Sequence, residues 1–347
     1  MNIICQRFAF LTALLATCFF ILGCDGSWAS VTGTPTIQSG QDSVEGSTQD
    51  ASGEVSSSST EGLPAALVSI DELKTLIDAG ERDLIILEPS RSKEQFGKSH
   101  LPSAQFVDWV NDMTDPANRK TYMVPPTEQF ENVMSRLGVK SDSSIIIYDR
   151  LCSRLSARLF WSLKYYGHKD VRILDGGFNA WAAKFDVVAD WDKPEPSQYK
   201  VEKVNEAIFA GLDFVKSHLG DDNVKLIDGR PPKQFTGEEP GKVFHTEVAH
   251  DLKGHIPGAL HVHWKDNFNE DGRFKSVAEL KKLYQDCGAQ PDNCVVTYCN
   301  EGLHAAPPWF VLTQMLGYQD VKLYDASMAE WANGTNPTET TVETSKE

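Results

Sequence analysis

Residues 295–306 read VVTYCNEGLHAA. A short apolar run delivers Cys299 to a tight loop, Asn300-Glu301-Gly302-Leu303-His304-Ala305, and an apolar segment with helical spacing continues to Leu316. A cysteine held between a buried strand and the first turn of a helix faces unpaired backbone N–H groups and the positive end of the helix dipole. That setting lowers a thiol pKa from about 8.5 toward roughly 3.5–7.5 and makes a thiolate at neutral pH. The pattern therefore predicts a nucleophile at Cys299. An isolated cysteine is more often a buried packing residue, but Gly302 in so short a loop predicts a backbone wrapped around something.

The elements that must position this loop are short apolar strands alternating with helices. Ser69-Ile70-Asp71-Glu72 has the S-x-x-E form of a capping box and opens a helix through Leu73, Leu76 and Ile77 that Gly80 ends. Leu84-Ile85-Ile86-Leu87 reads as a buried strand, followed by a loop carrying His100-Leu101-Pro102. A helix over residues 127–137, a strand over 144–148, a helix with Leu159, Phe160, Trp161 and Leu163, and a strand over 171–174 complete the first block. This alternation predicts an α/β fold, a mainly parallel sheet flanked by helices on both faces.

The second block repeats the plan. Tyr148 matches Tyr298, Gly167 matches Gly317, Asp175 matches Asp325 and Trp181 matches Trp331, all at one constant spacing of 150 residues. Upstream, Leu87-Glu88 matches Ile227-Asp228, and His100-Leu101-Pro102 matches His255-Ile256-Pro257, with extra residues at 236–253 in the second copy. The chain is a duplicated α/β domain. Where the second copy has Cys299 the first has Asp149, so one copy alone carries a nucleophile; Cys152, opposite Gly302, reads as a packed small residue, with a displaced thiol as the alternative.

A net charge of −16 over 347 residues argues against a nucleic-acid partner and discourages anions at long range. Residues 1–23 read as a signal peptide, with Arg7 ahead of an apolar run too short for a membrane span. Residues 24–62, rich in Ser, Thr and Gly, read as a disordered tether. The remaining divisions are a first, non-catalytic domain at 63–189, a linker at 190–205, a catalytic domain at 206–335 and a flexible tail at 336–347. Cys287 and Cys294 flank one helix–strand connection; a disulfide and two separate thiols both stand open.

These landmarks resemble the tandem rhodanese family, which includes thiosulfate and 3-mercaptopyruvate sulfurtransferases. The matching pieces are Asp228-Gly229-Arg230, Gly254-His255-Ile256-Pro257-Gly258-Ala259, Asp271-Gly272-Arg273-Phe274, residues 298–305, and Tyr324-Asp325-Ala326-Ser327 with Trp331. The resemblance implies two tandem rhodanese-like domains and a persulfide on Cys299, loaded by a small sulfur donor and unloaded by a thiol or cyanide acceptor. It implies that the N–H groups of Asn300, Glu301, Gly302, Leu303, His304 and Ala305 hold the anionic sulfur, without cofactor or metal. Asp228 and Arg230 could reach the site mouth, or pair with each other and fix the loop. His304 could donate to the persulfide or hydrogen-bond the loop. Ile21-Leu22-Gly23-Cys24 resembles the bacterial lipoprotein signal, which implies lipid on Cys24 and a periplasmic protein held to a membrane, with Asp25 pointing to the inner one.

The chain departs from the family where cations are expected. Thiosulfate-specific members have basic residues after the cysteine; here stand Asn300 and Glu301, and Asn179 replaces an arginine of the first copy. Charged hydrogen bonds contribute roughly 1.5–3 kcal/mol each, so poor activity with thiosulfate is expected. Two other readings compete. A phosphatase of similar fold needs an arginine closing the loop, and residues 303–308 contain none. A membrane-tethered persulfide carrier, loaded by a partner protein, fits the missing cations.

Overall fold

The computed structural model describes residues 21–22, 28–29, 63–118, 121–243 and 247–341. The chain divides into two units, residues 1–59 and 60–347. In the first, Ile21–Leu22 pairs antiparallel with Trp28–Ala29; Cys24 and the rest of the tether lie outside the described residues. The second unit holds both copies.

In the first copy the strands are β1 (Leu67–Val68), β2 (Leu84–Ser90), β3 (Ala104–Asp108), β4 (Ser144–Ile147) and β5 (Val171–Leu174). In the second they are β6 (Phe209–Ala210), β7 (Val224–Asp228), β8 (Leu260–His261), β9 (Cys294–Tyr298) and β10 (Val321–Tyr324). Every pairing in these two sheets is parallel, and the orders, β1-β5-β4-β2-β3 and β6-β10-β9-β7-β8, are the same path traced twice. β4 and β9 are therefore central, so both run as near-continuous apolar segments buried on both faces. A strand in that position delivers whatever follows it to the C-terminal edge of the sheet, where α/β sites form.

The duplication extends to individual hydrogen bonds. Tyr148 Oη accepts from Leu101 N–H at 3.1 Å, and Tyr298 Oη from Ile256 N–H at 3.2 Å. His100 and His255 each place Nδ1 against a backbone carbonyl, of Phe96 and Phe235, and stack on that same phenylalanine ring. Such a pair of interactions locks the turn before β3 and before β8, which accounts for His255 without a chemical role.

Helix ends follow local chemistry, with one reassignment. Ser69 Oγ accepts from Glu72 N–H at 3.1 Å, but the Glu72 carboxylate turns to Arg172 instead of closing the capping box. A complete box forms at Ser276 and Glu279, ahead of the helix Val277–Asp286. Gly80 ends the helix Ile70–Ala79 at φ 65, a conformation that costs a residue with Cβ about 1–2 kcal/mol.

The two copies meet face to face around helices α1 (Arg154–Tyr165) and α2 (Ala306–Phe310), which occupy matched places in the repeat. Asp175 accepts from Phe274 N–H at 3.0 Å, and Asp325 accepts from Val124 N–H at 2.7 Å. Phe274 and Val124 are themselves 150 residues apart, so the interface is pseudo-two-fold. A continuous apolar cluster runs through it and includes Phe160, Trp161, Trp309, Phe310 and Cys299.

Candidate active site

Cys299 directly follows β9, and its side chain is 1% exposed, at the floor of a small pocket. The pocket, about 70 Å³, is lined by Pro231, Gln234, Lys242, Asn300, Glu301, Leu303 and His304 besides the thiol. His304 N–H donates to Sγ at 3.2 Å, and the N–H groups of Glu301 and Ala305 also face the sulfur. The loop is held from behind by Ser327, whose Oγ accepts from Cys299 N–H at 3.1 Å and Gly302 N–H at 3.2 Å. Ser327 sits at φ 52 and Gly302 at φ 78. Serine takes the left-handed conformation here because its hydroxyl also donates to Tyr324 O.

The thiol does not have the low pKa expected from the strand–helix setting. Burial first, and the Glu301 carboxylate after it, push Cys299 up to about 11 against the pull of the three N–H groups. The helix after the loop, α2, runs on without a break into a π-helical turn at Val311–Met315, but Pro307 and Pro308 in its first turn have no N–H to offer. Within the second copy, anion stabilisation therefore rests on the loop amides.

The first copy shows what the loop does with an anion. Asp149, standing where Cys299 does, turns its carboxylate into its own loop and accepts from Leu151 N–H and Ser156 N–H, both at 2.7 Å. The carboxylate fills from within the cradle that surrounds sulfur in the second copy.

Arg230 and Asp228 pair with each other, Nη2 to Oδ2 at 2.6 Å, both fully buried. Arg230 also donates to Gly254 O, so the pair braces the floor of the site behind Cys299. The inserted residues of the second copy fold back over the loop: Lys242 pairs with Ala249 as an antiparallel bridge, and Gly241 packs so close that a Cβ would lie 2.6 Å from Asn300 Oδ1. Asn300 is held on its other side by Gln234 at 2.9 Å and contacts His250 at 3.2 Å. That crowding leaves no space for a long basic side chain after the cysteine.

Sequence reasoning missed Arg154, Arg91 and Gln234, and gave no role to Ser327 or to the inserted residues 236–253, which it had noted. Arg154, at the start of α1, places Nη1 3.0 Å from His304 Nε2. It stands 150 residues before His304, and matched residues near a pseudo-two-fold axis touch each other; the constant spacing carried that signal. Cys287, Cys294 and Cys299 are free thiols, so the disulfide alternative for Cys287 and Cys294 is not the one formed. Cys152 lies at the edge of the main apolar cluster and is disulfide-bonded, so it is neither a displaced thiol nor simply a packed small residue.

His250 has a pH consequence. Burial first, and the Arg230 charge after it, lower its pKa to about 4. The unfolded chain binds a proton near pH 6.5 that the folded protein refuses, so stability is complete above that pH and falls as pH drops toward 4, by about 3 kcal/mol from this residue. His168, His263 and His304 are lowered too and act in the same direction. Thermal unfolding of wild type and His250→Gln between pH 4 and 8 should show a shallower acid limb in the variant; parallel curves would contradict the assignment.

A two-copy α/β chain with one cysteine cradle at the copy interface defines a class, and comparison places it. The rhodanese-like domain model matches residues 69–184 and 212–334, and the chain belongs to the rhodanese family. It is 33% identical over 274 residues to the sulfur carrier protein TtuD of Thermus thermophilus, covering 78% of this chain and 94% of that one. It is 34% identical to the thiosulfate sulfurtransferase of Corynebacterium glutamicum, over 78% and 88% of the two chains. Among solved structures, SseA from Escherichia coli, described as a 3-mercaptopyruvate sulfotransferase, superposes with a TM-score of 0.66 at 26% identity, over 76% of this chain and 98% of that one.

Proposed function

We infer that this protein is a rhodanese-type sulfurtransferase that carries sulfane sulfur as a persulfide on Cys299. The observation that carries the reading is the cradle: three backbone N–H groups converge on one sulfur at the floor of a pocket sized for a small donor. The deprotonated sulfur attacks the outer sulfur of a thiosulfonate or mercapto donor. The donor's bond to that sulfur breaks and its electron pair leaves with the remainder, sulfite in the case of thiosulfate. A thiol or cyanide acceptor then attacks the terminal sulfur, and the Cys299 thiolate departs with the electron pair, which closes a two-step cycle.

Mass spectrometry after donor exposure tests this directly. A gain of one sulfur mapped to Cys299, removed by cyanide or a thiol, is the expected result; no gain from thiosulfate, mercaptopyruvate or a protein persulfide overturns it. With the thiol raised to about 11, loading by a small donor should rise about tenfold per pH unit from pH 7 to 9, because the thiolate is the nucleophile. A flat profile would mean that thiolate formation does not limit loading.

A second reading, a persulfide carrier loaded by a partner protein, is favoured by the likeness to a protein named as a sulfur carrier. It predicts loading from a protein donor and little turnover on thiosulfate. For location, the run Leu22-Gly23-Cys24 followed by a polar segment supports export with lipid on Cys24, holding the enzyme at the periplasmic face of a bacterial membrane, the inner one given Asp25. Diacylglycerol on the mature N-terminus, lost in Cys24→Ala, is the check.

A further inference from the structure

The second copy supplies no cation in the two positions after its cysteine, yet it must hold an anionic sulfur beside the buried Glu301. Arg154 reaches the site from the first copy. Its Nη1 lies 3.0 Å from His304 Nε2, and its guanidinium carbon stands 5.4 Å from the centre of the Trp264 ring. His304 stacks on that same ring at 5.1 Å with 19° between planes. A guanidinium only donates hydrogen bonds, so Nε2 accepts and the ring is the neutral Nδ1–H tautomer. The side chain so clamped belongs to the residue whose own backbone N–H donates to Cys299 Sγ at 3.2 Å.

We propose that Arg154 is a positioning residue for sulfur transfer, a cation lent across the copy boundary that clamps His304 and stabilises anionic sulfur on Cys299. The first copy, which has Asp149 where the second has its cysteine, is thereby a working part of the catalytic site. The proposal rests on the sulfurtransferase reading and deepens it. The charged and titratable groups around the sulfur are Glu301 on its own loop, Arg230 beyond β7, Lys242 on the inserted hairpin, and Arg154 and His304 at the interface. Arg154 itself faces Asp149, Glu301 and Cys299, while Arg91, also of the first copy, faces Arg154, Glu301 and Glu247. His263 and Lys265 flank the His304 ring. Of these, Arg154 contacts both His304 and Trp264.

The test is alkylation of Cys299 by iodoacetamide, mapped by mass to its own peptide so that Cys287 and Cys294 do not contribute. In Arg154→Met, which keeps the apolar stem, the rate at pH 8 should fall about tenfold and its rise with pH should move up by about one unit. Arg154→Lys, which restores charge without the fork, should recover most of that shift while loading with donor stays slow. A folded Arg154→Met whose profile superposes on wild type overturns the proposal. Should that variant fail to fold, the imidazole ¹⁵N shifts of His304 in the wild-type protein decide: a neutral Nδ1–H ring supports the clamp, and an Nε2–H or charged ring overturns it. Absence of persulfide on wild-type Cys299 would fall on the sulfurtransferase reading and would leave the alkylation comparison decisive for Arg154.

Discussion

Cys299→Ser should abolish persulfide formation and reduce sulfur transfer from any donor by at least about 10³-fold, to the rate of the uncatalysed reaction. An alcohol oxygen at this position stays protonated and forms no stable bond to sulfane sulfur, so the cycle has no intermediate. The fold should survive. Serine is close to isosteric, and its hydroxyl can accept from the N–H groups of Glu301, His304 and Ala305 that face Sγ; the expected change in stability is within about 1 kcal/mol. Circular dichroism and thermal unfolding check the second half, and a steady-state assay with mass analysis checks the first. Residual transfer at wild-type rates would move the chemistry to another thiol, with Cys287 and Cys294 as the free ones among the described residues.

Gly302→Ala should damage stability and activity together. Gly302 lies at φ 78, where a side chain is strained, and a Cβ there would stand 2.6 Å from Asp325 Oδ1, 2.8 Å from Asp325 O and 3.0 Å from Arg158 Nη1. Asp325 and Arg158 form an ion pair at 2.5 Å with both side chains at 0% exposure. Burial pushes the Asp325 carboxyl up, and the Arg158 charge is the largest influence holding it down, so displacing one partner leaves the other charged and dry. Breaking a buried pair costs about 3–5 kcal/mol, and the left-handed backbone adds roughly 1–2 kcal/mol. The melting temperature should drop by roughly 10 °C or more. Because Arg158 belongs to α1 of the first copy and Asp325 follows β10 of the second, the loss also loosens the interface that carries Arg154 to His304. A variant that melts within 2–3 °C of wild type, an estimate from the usual scaling, would show that the loop shifts without disturbing the pair.

The copies illustrate how one loop serves two ends. Gly177 and Ser327 occupy matched positions, at φ 55 and φ 52, and Phe178 N–H and Met328 N–H each donate to the residue ending the central strand, Asp149 O and Cys299 O. With the backbone held alike, the difference is chemical. A carboxylate satisfies the loop of the first copy permanently, whereas a thiol leaves that of the second available to sulfur.

The alternation of apolar strands with amphipathic helices, the repeat at a constant 150 residues, and the single cysteine at the end of a central strand were all legible in the sequence, because each depends on local periodicity or on identity at fixed spacing. The capping partner of Ser69 was less so, since Glu72 had a distant guanidinium to choose instead. What the tertiary structure alone decided is the electrical setting of the sulfur. The expected low thiol pKa assumed a solvated helix terminus; desolvation by the packed copy interface, an acidic neighbour and two prolines in the first turn reverse it. Arg154 and Arg91 of the first copy face Glu301 of the second. Residues this far apart in the chain meet only once the two sheets are packed, and no window along the sequence records that distance.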